Sequence, residues 1–164
     1  MSAGRQRGFT YVAVLIMVAT MGAVAAAFGE LTSHAARREK EKDLLFVGNQ
    51  YRDAIAAYYR RTPGAFKRYP QTLEDLLEDR RYPVPVRHLR RLYPDPITGA
   101  AEWGLLRAPD GGILGVHSLS EGQPVKSGGF TYRDHLFEGA TTYAEWRFAH
   151  YGDNPVGLGR TSAR

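Results

Sequence analysis

No charged side chain lies between Phe9 and Gly29, a gap of 21 residues in a chain that carries 39 charged residues among its 164. Arg5 and Arg7 precede the gap, and every other charged residue follows from Glu30 onward. As a helix the run would extend about 32 Å, which matches the roughly 30 Å hydrocarbon core of a bilayer. A segment reading FTYVAVLIMVATMGAVAAAFG has no polar face to turn toward water, so an ordinary cytosolic single domain is excluded. The mean hydropathy of −0.38 averages this run with a polar remainder. The 135 residues from Glu30 suffice for one compact domain with a modest core, and not for two.

The chain contains no cysteine, which excludes a disulfide framework, zinc-thiolate sites and cysteine nucleophiles. Its 22 Lys and Arg stand against 17 Asp and Glu, and beyond the first eight residues the balance is 20 against 17. The two signs are interleaved almost everywhere along the chain, whereas nucleic-acid binding requires a clustered basic face. No nucleic-acid partner is expected.

The leader MSAGRQRG runs directly into the apolar segment, and three readings fit. An uncleaved signal anchor would leave the domain tethered to a membrane. A cleavable secretory signal would use the A-x-A site at Ala25, Ala26 and Ala27 and release a chain starting at Phe28. The third reading places processing at the polar-to-apolar junction, Gly8-Phe9, and keeps the whole apolar run in the mature protein.

From Glu30 to Arg61 there is no proline, and Gly48 is the only weak helix breaker. Leu44, Val47, Tyr51, Ile55 and Tyr58 recur three or four apart, with Asn49, Gln50, Arg52, Asp53 and Arg60 on other faces. One continuous helix is therefore predicted, apolar over 9–31 and amphipathic over 32–62. Gly22 with Ala26, and Ala25 with Gly29, are small-xxx-small pairs that permit close helix packing.

Pro63, Gly64 and Pro70 end that helix and open a globular domain over 63–151. Thr72 reads as the N-cap of a short helix over 73–80, with Asp75 three positions on. VRHLRRLY suggests another turn or two. Pro109-Asp110-Gly111-Gly112 is tight-turn chemistry and predicts antiparallel strands at 101–107 and 113–119. TTYAEWRFAHY suggests a third strand, and residues 152–164 a flexible tail. The expected class is α+β, a helical stem carrying short helices and a small antiparallel sheet.

A basic leader ending in Gly8, then Phe9, a hydroxyl residue and about twenty apolar residues resembles the N-terminus of type IV pilin-like proteins. YPQTLEDL at Tyr69–Leu76, DPITG at Asp95–Gly99 and a strand pair ending in SLS resemble the type II secretion pseudopilins, the major pseudopilin above all. The likeness runs from Gly8 to about Val125. It implies cleavage after Gly8 by a prepilin peptidase, methylation of Phe9, and assembly through the apolar helix into a periplasmic filament. The implied location is the inner membrane, single-pass, with the C-terminal domain in the periplasm. The implied partners are other pseudopilin subunits, the peptidase, the secretion system's inner-membrane assembly platform, and membrane lipid before assembly. The family usually carries Glu at the fifth mature position, whereas this chain has Ala13. By resemblance, minor pseudopilins at a filament tip can lack that Glu. Many major pseudopilins bind calcium through acidic residues in the loop after the last strand. Here that loop is SEGQPVKSGG, with Glu121 as its only carboxylate, so no calcium site and no other cofactor is expected.

Catalytic patterns are missing. His34, His88, His117, His135 and His150 share no close ligand spacing, and no nucleophile elbow, P-loop or dinucleotide fingerprint occurs. Glu74 with Glu78, and Asp75 with Asp79, would lie one helical turn apart on a solvated face. RREKEKD at Arg37–Asp43 reads as a solvent-facing or inter-subunit salt-bridge surface. The expectation is therefore a structural subunit and not an enzyme. The alternatives are a membrane-tethered or secreted periplasmic binding domain, or a minor type IV pilin.

Overall fold

A computed structural model describes the backbone of residues 6–152, with side chains at 11–22 and 35–152. The class is α+β. A helix, α1 (Gln6–Arg60), is followed by a 3-10 turn at Glu74–Leu76, then β1 (Gly104–Arg107) and β2 (Ile113–His117). Two 3-10 segments, Tyr132–Phe137 and Tyr143–Glu145, precede β3 (Phe148–Ala149). The chain divides into two compact units, Met1–Glu39 and Lys40–Arg164. Among the described residues the helical backbone reaches back to Gln6, inside the stretch read as leader. No helix among the described residues is long and apolar enough to cross a membrane. The predicted apolar run reaches Phe9, Thr10 and residues 23–29, whose side chains lie outside the described residues.

In the second unit the predicted stripe on α1 forms the core. Leu44, Tyr51 and Ile55 are fully buried, and Val47, Ala54 and Tyr58 nearly so, under Leu76, Leu89, Trp103, Ile113, Val116, Phe137, Tyr143, Trp146 and Phe148. Gly48 is what lets the sheet come so close. A Cβ at that position would overlap the Phe148 ring, so glycine here trades helix propensity for contact. Around Trp146 the core is aromatic: the Phe137 ring stacks on it at 5.6 Å, and Phe130 and Tyr143 meet it edge-on.

The sheet has the order β1-β2-β3, antiparallel throughout. The PDGG turn forms as expected. Gly111 takes φ +83°, the Asp110 carboxylate accepts the Gly112 N–H at 3.1 Å, and an irregularity between Leu106 and Arg107 absorbs the extra residue. The strands are shorter than predicted. β1 starts at Gly104 and β2 stops at His117, because Ser118 turns its hydroxyl onto the Asp95 carboxylate at 2.6 Å. Most of the predicted third strand is not strand: Tyr143–Glu145 is a 3-10 turn whose N–H groups at Tyr143 and Ala144 bond the carbonyls of Gly122 and Ser120. Only Phe148–Ala149 pairs with β2.

The helix predicted over 73–80 is reduced to Glu74–Leu76. Its carbonyls are claimed from elsewhere, since Leu76 accepts the N–H groups of His88 and Leu89, and Asp79 and Val86 exchange hydrogen bonds as an antiparallel bridge. The same bonds hold VRHLRRLY as irregular chain, with one bridge at Val86 and bends at His88, Arg90 and Arg91, in place of the expected helical turns. Thr72 makes no side-chain cap. Instead the Asp75 carboxylate accepts the N–H groups of Gln71 and Thr72 at 2.9 and 3.0 Å, which is half of a capping box.

Candidate functional site

Among the described residues the first unit offers an apolar surface. Tyr11, Val12, Val14, Leu15, Ile16, Met17, Val18 and Met21 are all 51–67% exposed. They surround the helix on every side, since eleven residues cover three turns. Thr20, the one hydroxyl among them besides Tyr11, donates back to the carbonyls of Ile16 and Met17 at 3.0 and 2.8 Å, so the segment presents little that needs water. Gly22 is open: a Cβ built there meets nothing within 4 Å. Of the other residues singled out for processing and packing, Arg5 lies outside the described residues. Arg7, Gly8, Phe9, Ala25, Ala26 and Gly29 are on helical backbone, with side chains outside the described residues.

In the second unit the polar chemistry consists of four buried carboxylates, each holding one piece of the fold. Glu41, 3% exposed, reaches from α1 to accept the N–H groups of Val125 and Lys126 and the Tyr143 hydroxyl. The SEGQPVKSGG loop is thereby fastened to the helix by a carboxylate of the chain itself. Asp95, fully buried, accepts the Ile97 N–H and the hydroxyls of Thr98 and Ser118, locking the DPITG turn to the end of β2. Asp134 receives Arg52 at 2.8 Å, with Asn49 and Thr131 on its other oxygen. Burial lowers the Arg52 guanidinium pKa, with Asp134 opposing the shift, and that guanidinium lies over the Phe137 and Phe148 rings.

Asp79 is the fourth, and it corrects the solvated-face expectation. It is 1% exposed. Arg81 grips it through backbone N–H, Nε and Nη2, the last at 2.6 Å, and His88 Nε2 lies 3.1 Å away. Burial by itself would raise this carboxyl, but the hydrogen bonds from Arg81 and His88 outweigh it and hold it at about 2. Arg81 then caps α1: it donates to the Tyr58 carbonyl at 3.0 Å and the Thr62 hydroxyl at 2.7 Å, with its guanidinium 3.5 Å over the Tyr58 ring. Glu78 pairs with Arg80 at the surface.

The histidines do not come together. His88 is buried beside Asp79, His117 bonds the Ser118 carbonyl at 2.9 Å, and His135 stacks on Tyr132. The His34 side chain lies outside the described residues. No group of three or more His, Asp or Glu that could hold a metal ion occurs among the described residues. The four carboxylates have no short-range motif: Asp95 is marked through its turn, while Asp79 and Glu41, the latter within RREKEKD, read from sequence as solvent-facing or inter-subunit surface and are buried. Searches against protein-family models, curated proteins and solved structures find no match to this chain.

Proposed function

We propose that the chain is a pilin-like structural subunit, a pseudopilin of a type II secretion system. It is cut after Gly8, methylated on Phe9 and assembled through the apolar half of its helix into a periplasmic filament. In this reading residues 9–31 form a stem with two successive surroundings, lipid before assembly and neighbouring stems after it, and the Lys40–Arg164 unit is the head. The reading is carried by residues 11–22, whose apolar side chains surround the helix and are exposed in the single chain. A chain that leaves them in water would aggregate. The subunit catalyses no reaction in this account and is itself the substrate of the peptidase. Ala13 in place of Glu suits a minor or tip position, where no subunit above has a terminal amine to neutralise.

Mass spectrometry of the mature protein tests this. A chain beginning at methylated Phe9 is expected, and Gly8→Ala is expected to abolish processing and assembly while the head stays folded. An intact Met1 would favour a tethered binding domain. A start at Phe28 would sink the filament account by removing its core helix.

A further inference from the structure

The charges of the second unit are not evenly mixed. Residues 54–94 hold nine basic and four acidic side chains, which is the whole of the chain's formal net charge of +5. Within them two stretches, 54–73 and 80–94, contain no carboxylate at all. The fold brings these two stretches together at the C-terminal end of α1. The Tyr82 hydroxyl donates to the Arg61 carbonyl, Arg81 bonds Thr62 and Tyr58, and Lys67 donates to the carbonyls of Arg60 and Thr62. The acidic segment between them is largely occupied: Asp79 by Arg81 and His88, Glu78 by Arg80, and Asp75 by backbone N–H groups. Arg60, Arg61, Arg68 and Arg87 are exposed and belong to no ion pair among the described residues. Each stretch also carries an apolar residue out into solvent, Phe66 at 85% and Val84 at 76% exposure. Val84 stands between Pro83 and Pro85, which stiffen its loop, and Phe66 follows the Pro63-Gly64 bend.

We infer that this end of the unit is a docking surface for an anionic lipid bilayer, independent of the apolar helix. Phe66 and Val84 would enter the acyl boundary while the arginines meet lipid phosphates. Arginine suits that role because its planar fork pairs with two phosphate oxygens at once. Apolar tips beside clustered cations match the layering of an interface, apolar below and anionic above. Single-stranded nucleic acid would be held by stacking on planar groups, and Val84 provides none.

The test uses the full chain in excess mixed micelles of a neutral detergent, so it does not depend on the apolar run acting as an anchor. Phe66→Trp serves as the reporter, read against the unsubstituted chain, whose Trp103 and Trp146 are buried. Micelles containing phosphatidylglycerol are expected to shift its emission to the blue, and micelles containing phosphatidylcholine are not. Each of Arg60→Ser, Arg61→Ser and Arg87→Ser is expected to weaken the partition roughly fivefold. Val84→Asp should abolish the shift with the unfolding midpoint unchanged. An equal shift with phosphatidylcholine, or none with phosphatidylglycerol, overturns the proposal. A shift produced by glycerol phosphate or by an oligonucleotide in phosphatidylcholine micelles would overturn it too, reassigning the patch to a small anion or to nucleic acid.

Discussion

Two stretches of one helix, residues 11–22 and 44–58, carry eight and seven large apolar side chains and meet opposite fates. In the second, Leu44, Tyr51 and Ile55 are covered by strands and turns from far along the chain. In the first, Leu15, Ile16 and Val18 are more than half exposed. Composition begins to separate them, since only the second carries charged and amide side chains, Asn49, Gln50, Arg52 and Asp53; periodicity does the rest. The second stretch confines its apolar residues to a stripe that one domain can cover, while the first spreads them around the whole circumference. A stripe asks for a lid, and a full cylinder asks for a surrounding, which the proposed assembly would supply to the first stretch from outside the chain.

The sharpest way to break that comparison is one substitution made at both places. Leu44→Ala is expected to cost about 3 kcal/mol of stability in the Lys40–Arg164 unit, whereas Leu15→Ala should move it by less than about 0.5 kcal/mol, both measured by denaturant unfolding. Equal effects would mean that residues 11–22 have a partner within the chain. The glycines give a second pair. Gly48→Ala places a methyl group into the Phe148 ring and should destabilise by about 1–3 kcal/mol. Gly22→Ala meets nothing in the chain and should instead firm the isolated helix by up to about 1 kcal/mol, and weaken assembly if neighbouring helices approach there.

Acid should act on one stretch only. Asp79 is held at about 2 against an ordinary 3.8. A depressed carboxyl stabilises the fold above its unfolded value and loses that contribution as pH falls through the folded one. About 2 kcal/mol should therefore disappear between pH 4 and pH 2, and Asp79→Asn should flatten that part of the profile. Helicity of residues 11–22, which contain no titratable carboxylate, should not follow it. The smallest effect belongs to Thr20→Val, within about 0.5 kcal/mol, because its hydroxyl serves only its own helix. A larger loss of assembly in that variant would show that Thr20 bonds a neighbour.

Features encoded locally were legible in the sequence. The stripe from Leu44 to Tyr58 follows from spacing, and the PDGG turn from residue types whose conformational demands are their own. Long-range competition was not legible. TLEDLLED reads as a helix until His88 and Leu89 take the Leu76 carbonyl, and nothing near residue 76 announces that. The same holds for the carboxylates, since Glu41 finds partners 84 to 102 positions away and Asp134 finds Arg52 82 positions back. A carboxylate that will be buried and one that will stay in water are the same letter until the chain has closed. The basic surface at the end of α1 was missed for a related reason: along the sequence its two acid-free stretches are separated by EDLLED, and only folding sets them side by side.

The contact between Gly48 and Phe148 also fixes an order of events. The slot that Gly48 opens in α1 is filled from a strand one hundred positions later, and Glu41 waits for Tyr143 in the same way. A chain still being made therefore carries its amphipathic helix half uncovered until Tyr143 and Phe148 arrive, because such distant contacts form late. The Lys40–Arg164 unit is closed by the segment around Tyr143 and Phe148, and a truncation anywhere before Phe148 leaves two apolar surfaces in need of cover where the folded chain has one.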